Sequence, residues 1–334
     1  GNGHVQHTAP FMGGGGGPAG WGGAIAVVPY EMYKIYGDKE TFRRYLPKIL
    51  RYFDYLDSRS SGGLVCREEE GGWCLGDWCP PEQITICEPF VNTALYVKQM
   101  MMTKEASEAI GESETAAMLE KRIEEKKQAI LSAYYSPQTG SFIGDAQGAN
   151  SFAVDIGLGG ERAFNNTKKK YDAADAFDTG IFGTDILTRV LFERGCADTA
   201  FHLLTSTGKG SFYNMKKQGA TTIWENWDGE RSHSHPMFGA VTRYLFSFIL
   251  GITQEKNSAG YEKIVIAPQI PDGLNRASGH ITTVRGEIAV SFVRTEREMD
   301  FYVTVPQKAW FTYGSDCEYE LWEGENHIHI DFEE

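Results

Sequence analysis

No apolar run in the chain approaches the roughly 18 residues that a membrane-spanning helix requires, so no membrane insertion is expected. Basic residues are outnumbered: 32 Lys and Arg stand against 45 Asp and Glu, a formal net charge of -13. Nucleic acid and anionic membranes both demand a basic face, so neither is expected as the main partner, and a neutral ligand fits better. The six cysteines, Cys66, Cys74, Cys79, Cys87, Cys196 and Cys317, include no Cys-x-x-Cys pair, which removes the usual zinc and redox spacings. A chain of 334 residues needs no disulfide staples, so free thiols are expected, with a local disulfide among the four cysteines between 66 and 87 the alternative. No metal site and no cofactor is compelled. The run Gly13 to Gly17 lacks the preceding strand and the Gly-Lys-Ser/Thr ending of a phosphate loop, and reads as a flexible surface loop. No signal peptide is visible, and the compartment, periplasm or cytoplasm, is not indicated.

What the chain does have is a concentration of aromatic residues around acids. The stretch Gly219-Ala-Thr-Thr-Ile-Trp-Glu-Asn-Trp-Asp-Gly229 sets Glu225 between Trp224 and Trp227, with Asp228 just beyond. Indole faces stack on the C–H faces of a pyranose and exclude water, and an acid among them is placed to transfer protons near neutral pH. A plainer reading serves the same residues: core tryptophans at a helix start, a turn at Asp228-Gly229, and Glu225 paired with an arginine.

Periodicity divides the chain in two. Residues 1–20 read as an irregular loop. From Trp21 to about Tyr55 the apolar residues recur at helical spacing, broken at Gly37-Asp38, which predicts two antiparallel helices. A long loop over 58–87, of the kind that is usually functional, precedes helices around 88–104 and 113–135. Further helical patterns occupy about 149–158, 180–194, 196–205 and 236–250. After Gly251 the period becomes two: Val265-Ile-Ala, His280-Ile-Thr-Thr-Val, Glu287-Ile-Ala-Val-Ser-Phe-Val, Asp300-Phe-Tyr-Val-Thr-Val and Glu318-Tyr-Glu-Leu-Trp alternate as strands, with a hairpin turn at Arg285-Gly286. The fold class that follows is mainly α: a toroid of paired helices over 1–251, then a small all-β sandwich over 252–334. Such toroids close with six pairs. About eight helices are predicted rather than twelve, so an (α/α)6 toroid incomplete on its N-terminal side is expected.

Taken in order, these elements resemble the C-terminal part of bacterial α-L-rhamnosidases of glycoside hydrolase family 78. Gly20-Trp-Gly-Gly-Ala24 and Val28-Pro-Tyr-Glu-Met-Tyr-Lys-Ile-Tyr-Gly-Asp38 are similar to the family's Trp-Gly-Asp-Ala element and the helix that follows it. Gly76-Asp-Trp78 is similar to its Gly-Asp-Trp loop, Gly219 to Gly229 to its Gly-Ala-Thr-Thr-Ile-Trp-Glu-x-Trp-Asp-Gly signature, and Ser232-His-Ser-His235 followed by Phe238-Gly-Ala to its Ser-x-Asn-His-x-x-Phe-Gly stretch. The resemblance implies hydrolysis of terminal α-L-rhamnosides with inversion, with a rhamnose-containing oligosaccharide or glycoside as partner. It makes Glu225 the general base that takes a proton from the attacking water. Trp78, Trp224 and Trp21 would line the sugar subsite, Asp77 would accept hydrogen bonds from sugar hydroxyls, and His235 would donate to one or orient Glu225. Asp77 as a helix cap and His235 as a helix-start residue are the structural alternatives.

Two departures stand out. Gly23 occupies the place of the family's carboxylate, and the Asp-x-x-x-Arg-x-Glu motif that carries the general acid is absent; Glu31, Glu68 to Glu70, Glu82 and Glu88 lack its context. Inversion needs two carboxyl groups about 6.5–9.5 Å apart, so the chain by itself is expected to hydrolyse poorly, with the acid upstream. Two other functions fit the same residues: a noncatalytic carbohydrate-binding relative, and another α/α-toroid carbohydrate enzyme such as an uronate-sugar hydrolase or lyase. A lyase would favour a Tyr or His base and cations for the uronate, whereas Arg231 is the one cation near Glu225 in sequence.

Overall fold

The computed structural model describes residues 1–10, 15–17, 19–67, 69, 72–314 and 317–332. Gly13 and Gly14 of the glycine run, and Glu68 and Glu70, therefore lie outside the described residues, while Gly15–Gly16 form a short parallel ladder with Gly72–Trp73. The helical unit comprises α1 (Ala24–Tyr36), α2 (Lys39–Ser58), α3 (Glu88–Ala109), α4 (Ser113–Tyr134), α5 (Ala149–Asp155), α6 (Gly160–Asp172), α7 (Ile181–Glu193), α8 (Ala197–Thr205) and α9 (Phe212–Lys217). A last helical stretch, α10, covers residues 236–249 and passes from 3-10 through α to π geometry. The expected break between α1 and α2 is chemical: Gly37 adopts the left-handed conformation (φ 71°) that ends α1, and the Asp38 carboxylate caps α2 by accepting from the Thr41 amide at 2.9 Å.

Helix α6 was not among the expected elements. Its composition is polar because it shows one narrow stripe to the core: Ala163, Phe164, Thr167 and Tyr171 are its buried positions, spaced as one helix face. Helix α3 is the opposite case, buried along most of its length. The contrast marks position in the fold. Consecutive helices pack as pairs, α1 with α2, α3 with α4, α5 with α6 and α7 with α8, and α1, α3, α5, α7 and α10 also touch in succession. These five ring a cavity of about 530 Å³. Among the described residues the toroid is thus built on five inner helices, short of the six that close such a ring.

The ring is tied by charge as well as by apolar contact. Asp155 at the end of α5 is buried between Lys98 of α3 at 2.8 Å and Arg189 of α7 at 2.6 Å. Burial opposes its charge, but Arg189 and Lys98 more than offset that and hold the carboxyl below its ordinary range.

Among the described residues the β unit has eight strands in two four-stranded sheets: β1 (Ile252–Gln254), β2 (Ile264–Ile266), β3 (Arg276–Thr283), β4 (Gly286–Arg294), β5 (Glu298–Val305), β6 (Ala309–Tyr313), β7 (Cys317–Leu321) and β8 (Gly324–Asp331). The sheet orders are β8-β5-β4-β3 and β7-β6-β2-β1. β6 runs parallel to β2, and the other pairs are antiparallel. Inward-facing Ile288, Val290, Phe292, Phe301, Val303 and Phe311 are almost wholly buried. Alternation predicted five of these strands, and the alternate spacing of His327 and His329 predicted an exposed edge strand where β8 lies; β1 and β6 were not foreseen. Cys66, Cys79, Cys87, Cys196 and Cys317 form no disulfide, and among the described residues no helix is long and apolar enough to cross a membrane. The two units are joined by Lys34 of α1, whose ammonium donates to the carbonyls of Lys256 (2.8 Å) and Ser258 (2.9 Å).

Replacing Asp155 with Ala strands two cations in the ring. A loss of about 3–5 kcal/mol in unfolding free energy is expected from urea titration, whereas a loss below about 1 kcal/mol would show that the triad is no structural tie.

Candidate active site

The connections that precede the inner helices meet at one mouth. Trp78 comes from the loop before α3, Thr179 and Gly180 from that before α7, and Glu225 and Trp227 from that before α10. Cross-contacts bind these loops together: the Ile181 amide donates to the Trp78 carbonyl at 2.8 Å, the Trp227 indole to the Thr179 carbonyl at 3.2 Å, and the Cys79 thiol to Asn226 Oδ1 at 2.9 Å.

Asp77 is the anchor. Its carboxylate accepts from the amides of Gly180 (2.7 Å) and Gly183 (2.9 Å), across the amino end of α7. Both glycines are required by proximity, since a Cβ at Gly183 would collide with the carboxylate itself and one at Gly180 with the carbonyls of Asp77 and Trp78. The capping alternative therefore describes the geometry, but on a helix about a hundred residues away rather than the one following the loop. Asp77 is fully buried, so the structure gives its oxygens to backbone amides, not to an exposed sugar subsite. Burial pushes its carboxyl up to about 7 against the opposing pull of the Gly183, Gly180 and Phe182 amides.

Next to it, the Trp78 indole N–H donates to Glu225 Oε1 at 3.1 Å. The second oxygen, Oε2, accepts from the Ser232 amide at 3.3 Å, and the Glu225 amide returns a bond to the Ser232 carbonyl at 2.9 Å. Each carboxylate oxygen thus has one neutral donor and a lone pair to spare. Among the described residues no cation forms an ion pair with Glu225; Arg231 lies instead over the Trp78 ring at 4.8 Å, so the arginine-paired reading of Glu225 does not describe it.

The remaining candidates are distributed unevenly. Trp224 is 6% exposed and its ring is stacked on His233 at 4.5 Å, with Gly229 packed against its six-membered ring. The ring of Trp224 is thus almost wholly covered, with His233 stacked over it. Trp227 is core, packed against Phe177, Phe212 and Phe238. Trp21 lines the 530 Å³ cavity beside Phe182, with ring centroids 4.4 Å apart. His235 opens α10; its amide donates to the Ile223 carbonyl at 2.9 Å, and its buried Nδ1 has no partner. No hydrogen bond joins it to Glu225. At Gly23 the space for a side chain is filled by the buried Gln99 carboxamide from α3, which also faces the cavity. Gln99 and Ser232 were not foreseen: Gln99 reads as one more helix residue, and Ser232 acts through its backbone.

Among the described residues, Glu298, His329 and Asp331 bring one potential ligand atom each within 4.8 Å of the others, on the β unit and not at the mouth.

Paired helices around a lumen, loops converging on an indole-held carboxylate, and a β-sandwich behind them define the class as a carbohydrate-type α/α toroid. Residues 1–249 match the family described as bacterial alpha-L-rhamnosidase 6 hairpin glycosidase domain, and residues 251–311 the bacterial alpha-L-rhamnosidase C-terminal domain. The chain belongs to this bacterial alpha-L-rhamnosidase family. It is 26% identical over 314 residues to an alpha-L-rhamnosidase of Alteromonas sp., covering 86% of the chain and 33% of that protein. With one from Streptomyces avermitilis it shares 28% over 305 residues, 86% of the chain and 28% of that protein. The chain thus spans about a third of these curated relatives. Its fold matches the crystal structure of a Streptomyces avermitilis alpha-L-rhamnosidase complexed with L-rhamnose (TM-score 0.85, 23% identity, 98% of the chain, 35% of that protein). The alpha-L-rhamnosidase of Dictyoglumus thermophilum is similar as well (TM-score 0.87, 18% identity, 99% and 42%).

The Asp77 carboxyl has a folded pKa of about 7 against an ordinary 3.8. The folded state therefore holds the proton more tightly, and the stabilisation this provides, complete below about 3.8, is lost as pH rises through 7. The wild-type chain is expected to lose unfolding free energy relative to Asp77→Asn across that window; parallel pH profiles in chemical denaturation would contradict it.

Proposed function

We propose that this chain carries the water-activating half of an inverting α-L-rhamnosidase, with Glu225 as general base on terminal α-L-rhamnosides. The observation that carries the reading is the Glu225 carboxylate itself, held on one oxygen by Trp78 and on the other by the Ser232 amide. Two neutral donors fix its orientation without a counter-ion, and the lone pairs left over can accept a proton from water. Trp78 lines the sugar subsite and orients the base, and Trp21 lines the cavity within the helix ring. Asp77 serves by positioning Trp78, Trp224 by supporting the segment around Glu225, and His235 contributes a buried nitrogen available to a hydroxyl.

The proton donor to the leaving oxygen is a second carboxylic acid, and the Asp-x-x-x-Arg-x-Glu motif that would carry it is absent from this sequence. The toroid over 1–251 performs this chemistry and the sandwich over 252–334 supports it. The relatives' names and the L-rhamnose complex of the Streptomyces avermitilis protein support rhamnose as the glycone.

In a longer polypeptide that includes the acid, Glu225→Gln is expected to lower kcat on an aryl α-L-rhamnoside about 10²–10⁴-fold. Trp78→Phe, which keeps a ring but removes the N–H, should lower it about tenfold or more, the worth of a hydrogen bond to a charged group. Full activity of the Gln variant would remove Glu225 as base, and strong turnover by the 334-residue chain alone would place the acid within it.

A further inference from the structure

The outer face of the sheet β8-β5-β4-β3 carries a slot that the proposed hydrolysis does not use. One row of residues runs across all four strands in register: Ser278 opposite Ser291, Ser291 opposite Tyr302, and Tyr302 opposite His327. The Tyr302 and His327 rings are 4.8 Å apart with planes 10° from parallel, a separation equal to the spacing of neighbouring strands. The two rings therefore stand upright and face to face across the strand gap. His327 covers one face of Tyr302. The other face looks along the row over Ser291 and Ser278, whose short side chains leave the space above β4 and β3 unfilled. That space is an open cavity of about 780 Å³, also lined by His280 and Thr304. Tyr302 is 51% exposed.

The aromatic wall is braced before any ligand arrives. His327 Nε2 lies 2.7 Å from Asp300 Oδ1, and the same oxygen is held by His329 Nδ1 at 2.9 Å. Asp300 thus fixes the imidazole against which Tyr302 stacks, and a preset wall lowers the ordering cost of binding. The floor and rim are hydroxyl-rich, so a purely apolar ring would leave Ser278, Ser291 and Thr304 without partners. Among the described residues lining the cavity there is no lysine or arginine, and Glu325 is present, which disfavours anions.

We propose that this slot is a second carbohydrate site, one that takes a single pyranose ring of a neutral glycan. The C–H face of the sugar stacks on Tyr302, and its hydroxyls meet Ser291, Ser278 and Thr304. The site lies on the β unit and does not depend on Glu225 being a base.

The test is a two-dimensional NMR titration of the 334-residue chain with methyl α-L-rhamnoside, methyl β-D-galactoside and methyl β-D-glucoside, and with p-cresol as an apolar ring. At least one glycoside is expected to shift the amides of Ser278, Ser291, Tyr302 and His327. Tyr302→Ala should weaken that binding at least tenfold, and Ser291→Trp, which fills the slot, should abolish it. Both positions are on the solvent face, and an otherwise unchanged spectrum shows that each variant folds. Shifts of the Trp78 indole N–H report the mouth separately, so loss of one response does not count against the other. The proposal is overturned if no glycoside moves these amides, if the response survives unchanged in Tyr302→Ala, or if p-cresol alone binds.

Discussion

Both oxygens of the Asp77 carboxylate are bound to the amino end of α7, and the arrangement of the mouth depends on that contact. A helix amino end presents unpaired N–H groups and a partial positive charge, so it offsets part of the cost of burying the Asp77 carboxyl. Because the next residue is Trp78, pinning Asp77 also sets the indole that reaches Glu225. Asp77 thereby fixes the first of three connections to α7, and Trp78, Cys79 and Trp227 tie in the third. The glycines at 180 and 183 exist to let the carboxylate come that close.

The toroid itself divides labour between inner and outer helices. Outer helices such as α6 bury a narrow stripe and are polar elsewhere, whereas α3 is buried along most of its length and α1, α3, α5, α7 and α10 all face the lumen. The Asp155 triad fixes three of these inner helices by charge. Such a lumen is a place where polar groups can be retained without being lost to water, and Gln99 filling the space at Gly23 shows how one side chain there takes up the room left by another.

Much of this was legible in the sequence because it rests on period and on a compact motif. The switch from helical to alternating spacing after Gly251 separates the two sheets from the helices, and Gly37-Asp38 announces a helix break by residue type alone. The Trp224 to Asp228 segment drew attention to Glu225 by setting it between two indoles. It could not distribute roles among those indoles, since which face of a tryptophan is covered depends on His233, Phe177 and Phe238. Nor could it show that Asp77 faces α7, because that contact joins residues about a hundred positions apart. Helix α6 escaped notice since its apolar stripe is only four residues. The Tyr302 slot is invisible without register, which alone places Ser291 and His327 on either side of the ring.

The central claim is that Glu225 activates water for attack on a rhamnosyl carbon. α-L-Rhamnosyl fluoride tests it most directly, since fluoride departs without the proton that other leaving groups need and the acid half is bypassed. The account predicts that the 334-residue chain hydrolyses the fluoride well above the solvent rate, to β-L-rhamnose as the first anomer seen by proton NMR, and that Glu225→Gln reduces this to background. Equal turnover by the Gln variant, or α-L-rhamnose as the first product, would contradict it.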